Sequence, residues 1–430
     1  MGSRKFMLNP WYRRIEGLAL FLFTISTCLL FGKNQLRTVG LFMVIAFFLA
    51  NFMRFRKGLN WLRPFPPELL FYSAWVLWAI TTGPLVAMDL EYFWAAGHVL
   101  VQMFVMVWIV YGILKATRDG ENAIFLGLIL GAAVEIFLVL TGIQDIESLV
   151  RNPRAVERVT GLTHNPNFLG FLIVWATVSA LVLWGSRGKS LFWRLVSFVL
   201  IGFCAYVLLA TGSRKASVAF VFVLWAWITF ALPEKIGRWK VALSVSLGGI
   251  TLWLFLTYGM KLAANTPVGI RWQQMMETGG GNILQGFKRN IRYDMYVEGF
   301  KIFLQHPIFG VGLNNFCAYF YGYYSHSDYI EPLATTGLIG FILYQAFYVI
   351  LLLRLRQLLK WVTDSGMRYK LKMMLIGLGA ILIIGLGAPH YTDQPVFLLL
   401  VAFSVYTWNL QRQITMTKRR IRGIAFSLTG

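Results

Sequence analysis

Apolar runs of 13 to 22 residues recur along this chain, at 15–31, 39–53, 69–83, 93–114, 123–140, 168–185, 195–210, 218–232, 241–259, 337–353, 373–387 and 396–408. In a hydrocarbon core a backbone must close its own hydrogen bonds, so such runs predict membrane-spanning helices. Several fall short of the roughly 20 residues that a crossing needs, and flanking aromatic residues must extend them. The expected fold class is all-α, a polytopic membrane helical bundle with about 12 transmembrane helices.

With 57% hydrophobic and 13% charged residues over 430 positions, the composition lies far from the soluble average. No soluble domain, flexible linker or fixed-period repeat interrupts the pattern, so the divisions are topological. Residues 1–259 carry nine helices with short loops, 260–336 form a large outside loop, and 337–430 carry three more helices and a basic tail. Cys28, Cys204 and Cys317 are scattered, two of them inside apolar runs. They suggest neither a disulfide framework nor a metal knuckle.

A net charge of +22 would suit nucleic acid, but its distribution follows the membrane instead. With the N-terminus in the cytoplasm, 27 of the 40 Lys and Arg residues fall in cytoplasmic segments and 13 outside, as the positive-inside rule requires. Both termini are then cytoplasmic. The first apolar run lacks a small-residue cleavage site and is read as an uncleaved span. The clusters Arg54-Phe55-Arg56-Lys57, 354–372 and Lys418-Arg419-Arg420-Ile421-Arg422 become anchors facing anionic membrane lipid, and no nucleic-acid partner is implied.

Two ionisable groups, His98 and Glu135, lie inside apolar runs, where they are expensive. A buried, hydrogen-bonded or neutral residue is the plain reading of each; a proton or substrate path, as in a transporter or flippase, is the other. Against transport, most groups capable of chemistry gather at one membrane face rather than at the midplane.

The richest stretch is 292–340, the long polar interruption. Arg292 opens a segment in which Tyr293, Tyr296, Val297, Phe300, Phe303 and Leu304 follow helical spacing, and Pro307 with Gly310-Val311-Gly312 ends it. This predicts an amphipathic helix on the membrane surface or on the bundle itself. A cation at a helix start opposes the macrodipole, so Arg289 and Arg292 read as anion hooks or as plain solvated charges. Tyr319, Tyr321, Tyr323 and Tyr324 then precede His326-Ser327, which with Gly337 and Gly340 forms an H-S-x9-G-x-x-G pattern running into an apolar helix. The tyrosines suit an interfacial belt or a sugar-stacking platform.

Three other outside turns carry polar groups. Thr211-Gly212-Ser213-Arg214-Lys215 places positive charge where the positive-inside rule does not ask for it, at a helix start whose free N–H groups add anion-binding capacity. Gly161-Leu162-Thr163-His164-Asn165-Pro166-Asn167 supplies helix-capping Asn side chains, and His164 is either a loop residue or a second acid or base. Pro389-His390-Tyr391-Thr392-Asp393 is a compact turn that either serves only as a turn or lines the same cavity.

These pieces, in this order, resemble the O-antigen ligase and polymerase superfamily, the ligase branch in particular. The resemblance implies a GT-C-like membrane glycosyltransferase that takes a glycan from undecaprenyl diphosphate. Its implied acceptor is lipid A–core, on the periplasmic face of a bacterial inner membrane. It also implies that Arg214 and Arg292, with Lys215 and Arg289 nearby, engage the diphosphate and that His326 activates the acceptor hydroxyl. Ser213, Ser327, His164, Asn167 and His390 are further pocket candidates. No cofactor or metal is implied, and the chain has no Asp-x-Asp pair. A polymerase or a protein O-oligosaccharyltransferase would use the same donor.

Overall fold

A computed structural model describes residues 10–29, 65–116, 119–142, 146–147, 158–187, 191–231, 246, 249–250, 264–281 and 283–428. The expected span at 39–53, nearly all of that at 241–259, and the Arg54–Lys57 cluster lie outside the described residues.

The described residues are mostly helical. In order come α1 (Pro10–Leu29), α2 (Pro67–Val86), α3 (Leu90–Ala116), α4 (Glu121–Leu140), a two-residue antiparallel pair β1 (Ile146–Glu147) and β2 (Arg158–Val159), α5 (Pro166–Arg187) and α6 (Leu191–Thr211). Next are α7 (Arg214–Ala226), continued by a π-helical turn at Trp227–Ala231, then α8 (Pro267–Thr278), α9 (Ile283–Lys288), α10 (Ile291–Gln305), α11 (Phe316–Tyr319), α12 (Ile330–Trp361), α13 (Ser365–Gly385) and α14 (Gln394–Leu428). Among the described residues, six helices are long and apolar enough to cross a membrane: Pro67–Val86, Leu90–Lys115, Glu121–Leu140, Pro166–Trp184, Arg214–Ala231 and Ile330–Trp361. Several run longer than the apolar runs implied. α12 begins seven residues before Gly337, and α14 continues to Leu428 although its apolar run stops at 408.

Capping residues set the starts. Asn165 Oδ1 accepts from Asn167 N at 2.9 Å ahead of α5, and Asn290 Oδ1 accepts from Arg292 N at 3.1 Å ahead of α10. Asp364 Oδ1 accepts from Met367 N at 2.7 Å ahead of α13. Each satisfies one of the free N–H groups of a first turn. α5 is the most enclosed crossing helix and packs against α4, α6, α7 and α13. Small residues permit close contact: a Cβ at Gly127 of α4 would lie 2.6 Å from Thr24 Cβ of α1, and one at Gly377 of α13 2.7 Å from Val178 of α5.

One joint holds the segment before Gly337 to the bundle. Gly337 has φ 65° and ψ −172°, which breaks α12 after its second turn. The break frees carbonyls that other segments then satisfy: Val311 N donates to Ala334 O at 3.1 Å, Gly312 N to Thr335 O at 2.8 Å, and Trp78 Nε1 to Thr336 O at 3.0 Å. In return Leu338 N donates to Pro307 O at 2.8 Å. The glycine turn after α10 and the glycine pair after His326 are thus two halves of one backbone junction.

α10 turns only part of its anticipated apolar stripe to the bundle. Its buried face is Met295, Gly299 and Ile302, against α12, whereas Phe300 and Leu304 of the anticipated apolar stripe are exposed. The contact with α12 depends on Gly299, where a Cβ would fall 2.2 Å from Ile330, while Tyr296 of the stripe reaches the end of α13 through Leu386 O.

Candidate functional site

The site lies where the starts of α7, α10 and α12 meet the end of α13. Arg214 opens α7 after the Thr211–Ser213 turn. Two guanidiniums hold that turn by its carbonyls: Arg158 Nε donates to Thr211 O and Arg271 Nη1 to Gly212 O, both at 2.8 Å. Gly212, at φ 63°, lets the chain pass between them. Arg214 Nη1 in turn reaches Arg271 O at 3.4 Å, and its guanidinium lies 5.9 Å from the Trp272 ring centroid.

Five cations share this neighbourhood. Lys215 is within electrostatic reach of Arg292, Arg271, Arg214 and Arg158, and Arg214 within reach of Arg271 and Arg292. Among the described residues, neither Arg214, Lys215 nor Arg292 pairs with a carboxylate. Burial pulls the Arg292 guanidinium below its ordinary pKa. Buried cations that repel one another gain from any anion that enters. At the start of α7, Ser213 is fully buried, its hydroxyl has no partner, and it makes no cap bond. Free N–H groups at the helix start, an orphan hydroxyl and the cations together have the chemistry to hold an anion.

His326 faces this charge. Its pKa is lowered to about 3, first by burial and then by the charges of Arg292 and Lys215. The imidazole is therefore neutral at neutral pH. Its residue sits at φ 56°, in the left-handed region, and its ring centroid lies 4.0 Å from that of Tyr324. Ser327 works on the backbone: its Oγ accepts from Tyr329 N and Ile330 N, both at 3.3 Å, and so starts α12.

A family match falls on these same elements. Residues 196–345 match the family model described as O-antigen ligase. That match supports the O-antigen ligase superfamily and, with it, a polysaccharide-related glycosyltransferase in a membrane. No curated protein matches the chain. The matched O-antigen ligase segment contains Arg214, Lys215, Arg271, Arg292 and His326, while Arg158 lies upstream of it.

The remaining candidates take different places. Arg289 is exposed, and its Nη1 donates to Thr278 O at 2.8 Å, closing α8 toward α9. Asn167 Oδ1 accepts from Arg158 Nη2 at 3.2 Å, so it orients a cation of the cluster. His164 is exposed at φ 52°, ending the 3-10 turn Gly161–Thr163. His390 is fully buried; its Nε2–H donates to Ile381 O at 3.0 Å, and Nδ1 faces Asp393 Oδ2 at 3.7 Å. Burial disfavours its charged form, but Asp393 and Asp328 outweigh it and raise its pKa. Of the two ionisable groups in apolar runs, Glu135 is buried and accepts from Leu162 N at 3.0 Å, holding the Gly161–Thr163 turn. His98 corrects its expected burial: it is exposed on α3, with Nδ1 bonded to Trp94 O in its own helix.

Arg158 and Arg271 have no counterpart among the residues singled out from sequence. Each sits in a segment of mixed polarity where a solvated charge is the default. Asp328, two residues after His326, carried a better signal: a carboxylate running into an apolar helix whose Tyr344 and Tyr348 are four residues apart.

Proposed function

We propose that this protein moves a glycan from undecaprenyl diphosphate to a sugar hydroxyl of lipid A–core, at the outer leaflet of a bacterial inner membrane. The carrying observation is that His326, from the outer loop, lies within electrostatic reach of Arg292 and Lys215, which come from two other elements. A base beside unpaired cations is what glycosyl transfer from a diphosphate needs.

Arg214, Lys215 and Arg292 neutralise the diphosphate, with Ser213 and the α7 N–H groups as further donors. The acceptor hydroxyl attacks the anomeric carbon opposite the leaving oxygen. The new C–O bond forms as the old one breaks, its electron pair goes to the diphosphate, and the hydroxyl proton goes to His326. One displacement inverts the anomeric carbon, and fixed guanidiniums supply the charge stabilisation that a metal supplies elsewhere. The donor's negative charge offsets Arg292 and Lys215 and so raises the basicity of the imidazole, while burial, the larger cause of its lowered pKa, remains.

The test offers purified protein the carrier-linked donor with either lipid A–core or a second carrier-linked glycan. Product on lipid A–core is expected. Product on the second acceptor alone would replace the ligase reading by a polymerase.

A further inference from the structure

The loop bearing His326 is tied on both sides by buried carboxylates. Glu331 Oε2 accepts from Ser325 N at 2.7 Å. Asp328, 3% exposed, accepts from Tyr344 Oη at 2.8 Å, Tyr348 Oη at 3.2 Å and His390 N at 2.7 Å, while its own N–H donates to Gly385 O at 2.7 Å. Two of these partners, Gly385 and His390, bracket the 386–389 turn after α13. The same turn lies against the cation cluster. A Cβ at Gly387 would stand 2.5 Å from Lys215 Cδ, and Tyr296 Oη donates to Leu386 O at 2.5 Å from the helix that carries Arg292. One turn therefore touches both the anchor of the histidine loop and the wall of the anion site.

We propose that Asp328 is a positioning residue: by docking the His326 loop onto the 386–390 turn, it sets where the imidazole stands relative to the anion pocket. This rests on the glycosyl-transfer reading and adds a residue that acts through another. A fully buried carboxylate costs several kcal/mol to desolvate, which apolar packing between loop and helix would avoid. Three donors converging on one carboxylate do what packing does not, since they fix direction as well as distance. His326 needs that direction, because a left-handed residue in a short turn does not hold its own orientation.

The experiment compares the full-length protein with Asp328→Asn, Asp328→Ala and Tyr344→Phe. Carbethoxylation of His326 by diethyl pyrocarbonate is followed by mass spectrometry with and without inorganic pyrophosphate, and transfer is assayed in parallel. Pyrophosphate should shield His326 in the parent protein. In Asp328→Ala the shielding should vanish and kcat fall about 10–100-fold, with donor KM within about 2-fold. Asp328→Asn retains an oxygen for Tyr344 and His390 N and should stay within a few-fold of the parent. Tyr344→Phe removes one donor without opening a cavity; it should lose part of the shielding, and it carries the test if Asp328→Ala does not fold. Full shielding and kcat in Asp328→Ala, or in Tyr344→Phe where that variant carries the test, would overturn the proposal. So would loss of pyrophosphate affinity equal to the loss in kcat. A parent protein shielded by pyrophosphate yet inactive in transfer would count against the glycosyl-transfer reading alone.

Discussion

At the scale of single residues, the candidate site sets a cluster of cations beside a histidine that burial first, and those cations second, hold below its ordinary pKa. His326→Ala should lower transfer by about 10²–10⁴-fold while pyrophosphate binding is kept, because the base acts on the acceptor and not on the diphosphate. Arg292→Ala should do the reverse in emphasis, weakening pyrophosphate binding about 10–100-fold, as loss of a charge-assisted contact does. The same substitution tests the electrostatics. Arg292 favours the neutral imidazole, so removing it must raise the His326 pKa from about 3. The rise should stop below the ordinary 6.5, since burial is the larger cause and remains. Adding pyrophosphate to the parent protein should raise it as well. Histidine NMR of a chain with five His residues can follow both shifts, and a fall in either case would contradict the arrangement. Arg214, Lys215, Arg292 and His326 were legible in sequence because each broke a local rule: charge on the wrong side, a cation at a helix start, a histidine entering an apolar helix. Arg158 and Arg271 were not, because their roles depend on carbonyls of a turn distant in sequence, at Thr211 and Gly212.

At the scale of elements, two glycine patterns that look like separate turns prove to be one joint, and its geometry predicts which glycines tolerate a side chain. A Cβ at Gly337 would stand 2.2 Å from Ile308 O, and one at Gly310 2.5 Å from the Thr335 backbone carbon, so neither neighbour can step aside. Gly322, at φ 79°, has nothing within 4 Å. Gly322→Ala should therefore cost only conformational strain, about 1–2 kcal/mol. Gly337→Ala adds a backbone collision and should cost well beyond that, with loss of folded protein in a detergent thermal-unfolding assay. Equal stability of the two variants would mean that the joint is not under compression. The pattern of apolar runs located most of the helices, but not the depth of this joint or the face of α10. Spacing alone weighted the large aromatic residues of α10, whereas contact with α12 was decided by Gly299, whose missing side chain admits Ile330.

At the scale of the whole molecule, two buried ion pairs lie far from the candidate site. Arg354 makes a two-pronged pair with Glu68, which also accepts from Ser404, joining α12, α2 and α14. Lys370 Nζ pairs with Glu121 Oε1 at 2.7 Å, joining α13 to α4. Both pairs lie at the end of the bundle opposite His326: at 1.5 Å per residue, Arg354 is roughly 36 Å along α12 from its start. The two kinds of charge should therefore respond oppositely to mutation. Arg354→Met leaves the Glu68 carboxylate buried and unpaired, and should cost about 3–5 kcal/mol of stability. Pairing it with Glu68→Gln removes the orphaned charge and should restore most of that loss. Transfer activity per folded molecule should be unchanged in the double variant, since no charge near His326 or Arg292 has moved. A double variant as unstable as the single one would show that the pair contributes specific attraction beyond its own desolvation. A stable double variant with a lowered kcat would instead show that the two ends of the bundle are coupled through α12, across the break at Gly337.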